Sequence, residues 1–169
     1  MQLTARQLNR TTLHRQLLLK REPLDVVAAV RHLVGLQAQQ AAGPYLALWN
    51  RISDFDAADL DAAFADHRIV KASLLRITLH AVAIEDHPVW RSAVLRSLRG
   101  SRLGDRRFTG TGLKAVDADT AEGAVLAHLS EPRSNAEVEA FVAERLPGVP
   151  AKWLWWALRT YAPLIHAPR

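Results

Sequence analysis

Leu75-Arg76-Ile77-Thr78-Leu79-His80-Ala81-Val82 places Leu75, Ile77, Leu79 and Ala81 on one side of an extended chain and Arg76, Thr78, His80 and Val82 on the other. A period of two is the mark of a half-buried strand. Ile69-Val70-Lys71 just upstream is the candidate partner, so residues 69–73 and 75–82 are expected to form a hairpin. Nearly all else reads as helix. Helices followed by a small hairpin are the ingredients of a winged helix. The expected fold is therefore mainly α with small β-hairpins, arranged as tandem winged-helix (helix-turn-helix) modules.

Upstream of the hairpin, Thr4 is placed to cap a helix running to Lys20, which Pro23 stops. Asp25 caps a second helix with Val26, Val30, Leu33 and Val34 on its apolar stripe. Gly43-Pro44 breaks the chain and restarts it, with Tyr45, Leu48, Trp49 and Ile52 as a buried stripe. Asp56 caps a short acidic helix that turns Leu60, Ala63 and Phe64 inward.

Downstream, Asp86 and Pro88 open a helix with Trp90, Val94 and Leu98 facing in. Gly100 to Gly112 reads as an exposed basic loop. A helix over 119–129 comes next, then one over 135–146 with Ser134 and Glu137 in capping-box spacing. Pro147-Gly148 turns into a third helix that buries Trp153, Trp156, Ala157 and Tyr161. Leu164-Ile165-His166 would open a wing strand, and its return strand is expected beyond Arg169, in a C-terminal remainder of a longer natural chain. The expected division is a winged-helix-like domain over 1–99, a basic linker over 100–117, and a second, incomplete module over 118–169.

Composition narrows the chemistry. With 49% hydrophobic and 23% charged residues in 169, the chain can build a core. It has no cysteine, which removes disulfides, thiolate nucleophiles and thiolate-bound zinc. No apolar run reaches membrane-spanning length and no secretory signal opens the chain, so a cytoplasmic, nucleoid-associated protein without membrane contact is expected. The net charge of +5 is unevenly spread. Arg6, Arg10, Arg15, Lys20 and Arg21 meet no acid, Arg91 to Arg107 holds six arginines against Asp105 alone, and aspartates crowd 54–66. Positive blocks of this kind suit a polyanion. Double-stranded DNA is the expected partner, with Arg10, Arg15, Arg76, His80, Arg99, Arg102, Arg106, Arg107 and Lys152 as the residues expected to contact it.

No nucleophile elbow, metal-spaced histidine pair or phosphate loop is present. His80, Asp86 and His87 are accounted for by a strand face, a cap and an exposed ring, so neither metal nor cofactor is expected. The unusual segment is Gly35-Leu36-Gln37-Ala38-Gln39-Gln40. On a regular helix Gln37 would continue the apolar stripe and Gln39 would point roughly 200° away. If the chain turns extended after Gly35, the two amides fall on one side with Ala38 opposite, able to grip one water. A third option is that they cap a helix end and fix a turn.

Three segments carry a family resemblance: Leu13-His-Arg-Gln-Leu-Leu18, His32-Leu-Val-Gly-Leu-Gln-Ala-Gln39 and Pro44-Tyr-Leu-Ala-Leu-Trp-Asn-Arg51. Leu75 to His80 adds a fourth, similar to an Arg-Gly-Thr-Leu-His strand, with Ile77 where many relatives have Gly. Together they resemble the bacterial winged-helix DNA-binding superfamily that contains the AlkZ-type DNA glycosylases for alkylated purines and interstrand crosslinks. The resemblance implies tandem winged helices followed by a β-rich C-terminal part. It also implies that Gln37-Ala38-Gln39 matches a catalytic Gln-hydrophobic-Gln motif. The implied activity is that of a monofunctional glycosylase active in DNA repair, excising N7- or N3-alkylated or crosslinked purines by water attack at C1′. A cationic purine leaves as a neutral base without protonation, so the residues need only orient water and tolerate an oxocarbenium-like sugar. The alternative is a winged-helix DNA binder or transcriptional regulator without chemistry.

Overall fold

A computed structural model of the chain describes residues 2–168; Met1 and Arg169, the outer ends of the two expected modules, lie outside it. The fold is mainly helical with one small antiparallel sheet, of winged-helix type. The chain divides into two compact units, one of residues up to Trp90 together with Pro168, the other Arg91–Ala167.

In the first unit, helix α1 (Ala5–Arg15) starts at the Thr4–Gln7 capping box. It stops short of the expected end at Lys20. Leu17 turns left-handed at φ 56° while its side chain is buried, and a helix cannot continue through that backbone. Helix α2 (Val26–His32) is capped by Asp25, whose carboxylate accepts the Ala28 N–H at 2.8 Å. Strand β1 (Leu36–Gln37), helix α3 (Gly43–Trp49), helix α4 (Ala57–Ala65) and strands β2 (Ile69–Ser73) and β3 (Leu79–Ala83) complete the unit.

The sheet order is β1-β3-β2. Leu36 pairs with Ala81, and Ile69 with Ala83. Leu36, Ile69 and Ala81 therefore share the face that packs on Val30, Leu48, Ile52 and Leu60. Each large aliphatic side chain in that core contributes about 1.5–3 kcal/mol. Trp49, expected in the core, is 51% exposed and stacks its ring against the Arg21 guanidinium at 4.5 Å.

The hairpin is real but shorter than its alternation suggested. β2 covers 69–73 as expected, whereas Leu75–Ile77 is a 3-10 turn and β3 begins at Leu79. The reversal is closed by Leu74 N–H to Thr78 O and Ile77 N–H to Leu74 O, with Arg76 at φ 55° and Ile77 at φ 61°. A β-branched side chain in the left-handed region is strained, which explains physically why glycine suits this position.

The second unit begins within helix α5 (His87–Leu103), followed by α6 (Arg106–Thr109), α7 (Ala115–His128), α8 (Asn135–Arg145) and α9 (Ala151–Tyr161). The expected linker over 100–117 is not one. Phe108 is fully buried and Leu113 nearly so, and these two apolar anchors fold the Gly- and Arg-rich stretch into the unit. Ser134 and Glu137 form the expected capping box. On α9 the buried stripe is Leu154, Trp155, Ala157, Leu158 and Tyr161, leaving Trp153 and Trp156 outside the core rather than in it. Trp155 goes inside because its Nε1–H donates to Asn135 Oδ1 at 2.9 Å. Leu164–His166, expected to open a wing, form no strand of two or more residues.

This packing sets two measurable outcomes. A Cβ at Gly35 would meet Val82 Cγ1 at 2.8 Å and the Ala81 carbonyl at 3.3 Å. Gly35→Ala should destabilise the protein by about 1–3 kcal/mol in urea unfolding, and unchanged stability would refute the tight β1–β3 approach. Tyr45 and Tyr161, the two tyrosines of the chain, are both pushed up to about 12, the first by donating its hydroxyl to Asp61, the second by burial. The folded state holds both phenolic protons more tightly than the unfolded state, whose tyrosines titrate near ~10. The stability they contribute is complete below that pH and is lost as pH rises through about 12. A phenolate absorbance titration with a midpoint near ~10 in the native protein would contradict this.

Candidate active site and nucleic-acid interface

The stretch around Gln37 is extended, which decides among the three conformations open to it. α2 ends at His32, Val34 turns left-handed at φ 72°, and Gly35 lets the chain pass against β3. Gln37 then pairs with His80, and Ala38 N–H continues the ladder to the Leu79 carbonyl at 2.8 Å. Leu36 and Ala38 point into the core at 7% and 4% exposure, so Gln37 and Gln39 share the other, exposed side. Directly opposed residues of an antiparallel pair present their side chains on the same face. His80 therefore stands beside Gln37 on that face.

The backbone here is held from both sides. Besides the contact at Gly35, a Cβ on Gly43, the first residue of α3, would lie 3.1 Å from the Gln37 carbonyl oxygen. The side chains differ in how far they are fixed. Gln39 Oε1 accepts the Leu79 N–H at 3.3 Å, a long bond. Gln37 makes no side-chain hydrogen bond among the described residues, so its amide is open for another partner. His80 Nδ1 lies 3.0 Å from the Thr78 carbonyl. A carbonyl can only accept, so Nδ1 carries the proton and Nε2 of the neutral ring is left as an acceptor.

Neither β1 nor the 69–83 hairpin contains an acidic residue. The hairpin's one lysine, Lys71, pairs with Ala81 and so lies on the face opposite His80 and Gln37. Among the described residues no three His, Cys, Asp or Glu come together as a metal would need. The constellation offers neutral donors and acceptors, suited to holding a water or a polar edge.

The expected DNA-contacting residues fall in both units. In the first, Arg76 is exposed at the hairpin tip, close in sequence to the Leu79 N–H that holds Gln39. Arg10 and Arg15 are exposed on α1, a helix with no acid in its first turn and no buried residue. In the second unit Arg99 is neutralised by Asp119, whose hydrogen bond raises its pKa. Arg106 is exposed, and Arg107 forms a two-point ion pair with Asp105. Arg102 lies over Trp156, and Lys152 lies 5.5 Å from the Trp153 ring. The sequence missed Trp156 as a partner for these cations, because helical spacing had assigned it to the core.

Known proteins share this outline. A family model described as DNA glycosylase AlkZ-like matches residues 30–169. Among solved structures, the Streptomyces sahachiroi DNA glycosylase AlkZ superposes with a TM-score of 0.78 at 24% sequence identity, over 100% of this chain and 47% of its own. The chain thus spans about half the length of that protein, and the likeness is one of fold. No curated protein matches the sequence.

The unequal anchoring of the two glutamines has a measurable consequence. Gln39→Ala should cost about 0.5–1 kcal/mol by freeing the Leu79 N–H. Gln37→Ala should change stability by less than about 0.5 kcal/mol, as an exposed side chain without a partner does. Equal losses in chemical denaturation would contradict the hydrogen-bond assignment.

Proposed function

The chain belongs to the AlkZ-like DNA glycosylase family, and from that premise we propose that it takes part in excising N7- or N3-alkylated or crosslinked purines from double-stranded DNA. The observation that carries this reading is the exposed pair Gln37 and Gln39 on one face of β1, with His80 opposite and no carboxylate on either strand.

In the proposed reaction a water attacks C1′ as the C1′–N bond breaks, the new C1′–O bond replaces it, and the proton the water sheds passes to solvent. The electron pair of the C1′–N bond goes to the purine, which sheds its positive charge and departs neutral, so no general acid is required. The Gln37 amide oxygen accepts a hydrogen bond from the water and aims it. Gln39, its oxygen already bound to Leu79 N–H, supplies a fixed amide dipole beside it. His80 Nε2 is a further acceptor for the same water. Lys71 lies on the wrong face to form a Schiff base with the sugar, which favours a monofunctional enzyme using water. Neutral amides also suit a site next to phosphates, because a carboxylate there would be repelled. Arg76 at the hairpin tip and the exposed Arg10 and Arg15 on α1 would meet the backbone. DNA repair places such a protein in the cytoplasm, on the nucleoid.

The test is single-turnover excision on a duplex containing N7-methylguanine, read as alkali-labile sites. Gln37→Ala and Gln39→Ala should each lower the rate by about two to three orders of magnitude, roughly 3–4 kcal/mol. Binding to the same duplex should change far less, since phosphate contacts carry most of the affinity. Full excision by both variants would make the pair scaffolding, and a winged-helix DNA binder without chemistry would then be the better description.

A further inference from the structure

Helix α9 turns Leu154, Trp155 and Leu158 inward and leaves Lys152, Trp153, Trp156 and Arg159 toward the outside. Two guanidinium groups converge on one of these indoles. Arg102 from α5 lies 4.2 Å from the Trp156 ring centroid, and Arg107 from α6 lies 4.7 Å from it. Each cation–ring attraction is weak, and the mutual repulsion of the two charges works against it. Burial is the largest influence lowering the pKa of Arg102, with Arg107 and Arg159 adding to the effect.

The local acid does not balance this convergence. Asp105 spends both oxygens on Arg107, at 3.0 and 2.8 Å, and also caps α6 by accepting the Arg107 N–H. Arg102 forms no ion pair among the described residues; its Nε donates to Thr160 Oγ1 at 3.0 Å and its terminal nitrogens have no protein acceptor there. Arg99, one helical turn away on α5, shows the contrast, being paired with Asp119. A planar fork anchored through Nε with its terminal donors open is the geometry that receives two oxygens of a phosphate. The surroundings alternate cations with aromatic rings. Trp153 meets Trp156 edge-on at 5.8 Å, and Lys152 lies over Trp153. Lys152 and Trp156, on which the arginines of α5 and α6 converge, sit on the third helix of the α7–α8–α9 set, the position that faces DNA in a helix-turn-helix.

We propose that Arg102, Arg107 and Lys152, organised by Trp156, form a separate site on the second unit for the phosphate backbone of duplex DNA. This rests on the DNA-binding part of the reading above and is independent of the glutamine chemistry. Arg102 and Arg107 make the phosphate contacts, Lys152 adds charge, and Trp156 acts as the positioning residue that holds both forks.

The experiment is the salt dependence of binding to an undamaged duplex. The double variant Arg102→Gln/Arg107→Gln should make the slope of log K against log salt shallower by about 1.8, or about 0.9 for each phosphate no longer neutralised. Trp156→Leu removes no charge, yet should weaken binding several-fold because the guanidinium groups lose their platform. Arg107→Gln alone, on an exposed side chain, keeps the test valid if the leucine variant fails to fold. Arg68→Gln, which removes charge from the first unit, should leave the slope nearly unchanged. Slopes for the cluster variants equal to that of Arg68→Gln, with intact circular dichroism, would overturn the proposal and leave the cluster as packing. So would loss of affinity for polyglutamate but not for duplex, which would assign the site to an acidic protein. An unsubstituted protein that binds no duplex would sink the DNA reading as well; one that binds normally while only the cluster variants fail to differ sinks this proposal alone.

Discussion

The first unit depends on how closely β1 lies against β3. Two paired residues are little to hold a strand, and they hold because position 35 has no side chain to push the backbones apart. That approach dictates the path of the chain on either side. α2 must end at His32, the chain must turn through a left-handed Val34, and residues 36–39 must alternate between core and surface. Leu36 and Ala38 then fill the space above Val30 and Leu48, and the glutamines are displaced to the open face. The exposure of two amides side by side is thus a by-product of core packing by their neighbours.

Capping was the most legible feature of the sequence, because a cap is chemistry between residues two or three apart. Thr4, Asp25, Asp56 and Ser134 each accept a backbone N–H where the sequence placed them. What failed was whatever a distant partner decides. The alternation from Leu75 ran on through residues that the reversal needed, since apolar spacing says nothing about where a hairpin turns. The stretch from Gly100 looks like a loop in composition, yet Phe108 and Leu113 commit it to the second unit. On α9, an unbroken apolar run from Trp153 to Leu158 allows more than one inward face. Asn135, at the start of α8, settles the choice by giving Trp155 an acceptor. Gln37 is the sharpest case: helix, strand and turn were all open until its pairing with His80 was known.

Charge was legible in amount and not in use. The sequence counts Arg99, Arg102, Arg106 and Arg107 as one basic block. The structure separates them: Arg99 is spent on Asp119, Arg107 is partly spent on Asp105, and Arg102 keeps its terminal donors open. Proximity in sequence set the total field, while helical phase and the positions of two aspartates decided which cations remain available to a polyanion.

The two proposed sites would divide labour in a way electrostatics favours. A surface that must approach an anionic backbone gains from cations wherever contact is sequence-independent, since each phosphate neutralised releases counterions. The reacting centre has a different requirement. A cation beside C1′ would oppose the positive charge that develops on the sugar, while a carboxylate would be repelled by the flanking phosphates. Neutral dipoles avoid both penalties if their orientation is fixed in advance. The proposed centre would meet that condition through backbone rather than charge, with a strand pinned at Gly35, a carbonyl pinned at Gly43 and the Gln39 amide tied to Leu79, while the Gln37 amide is held only by its backbone. On this reasoning, if the proposed function holds, the absence of acidic residues from β1 and the hairpin and the abundance of arginine elsewhere would be two consequences of one constraint, the field of the DNA itself.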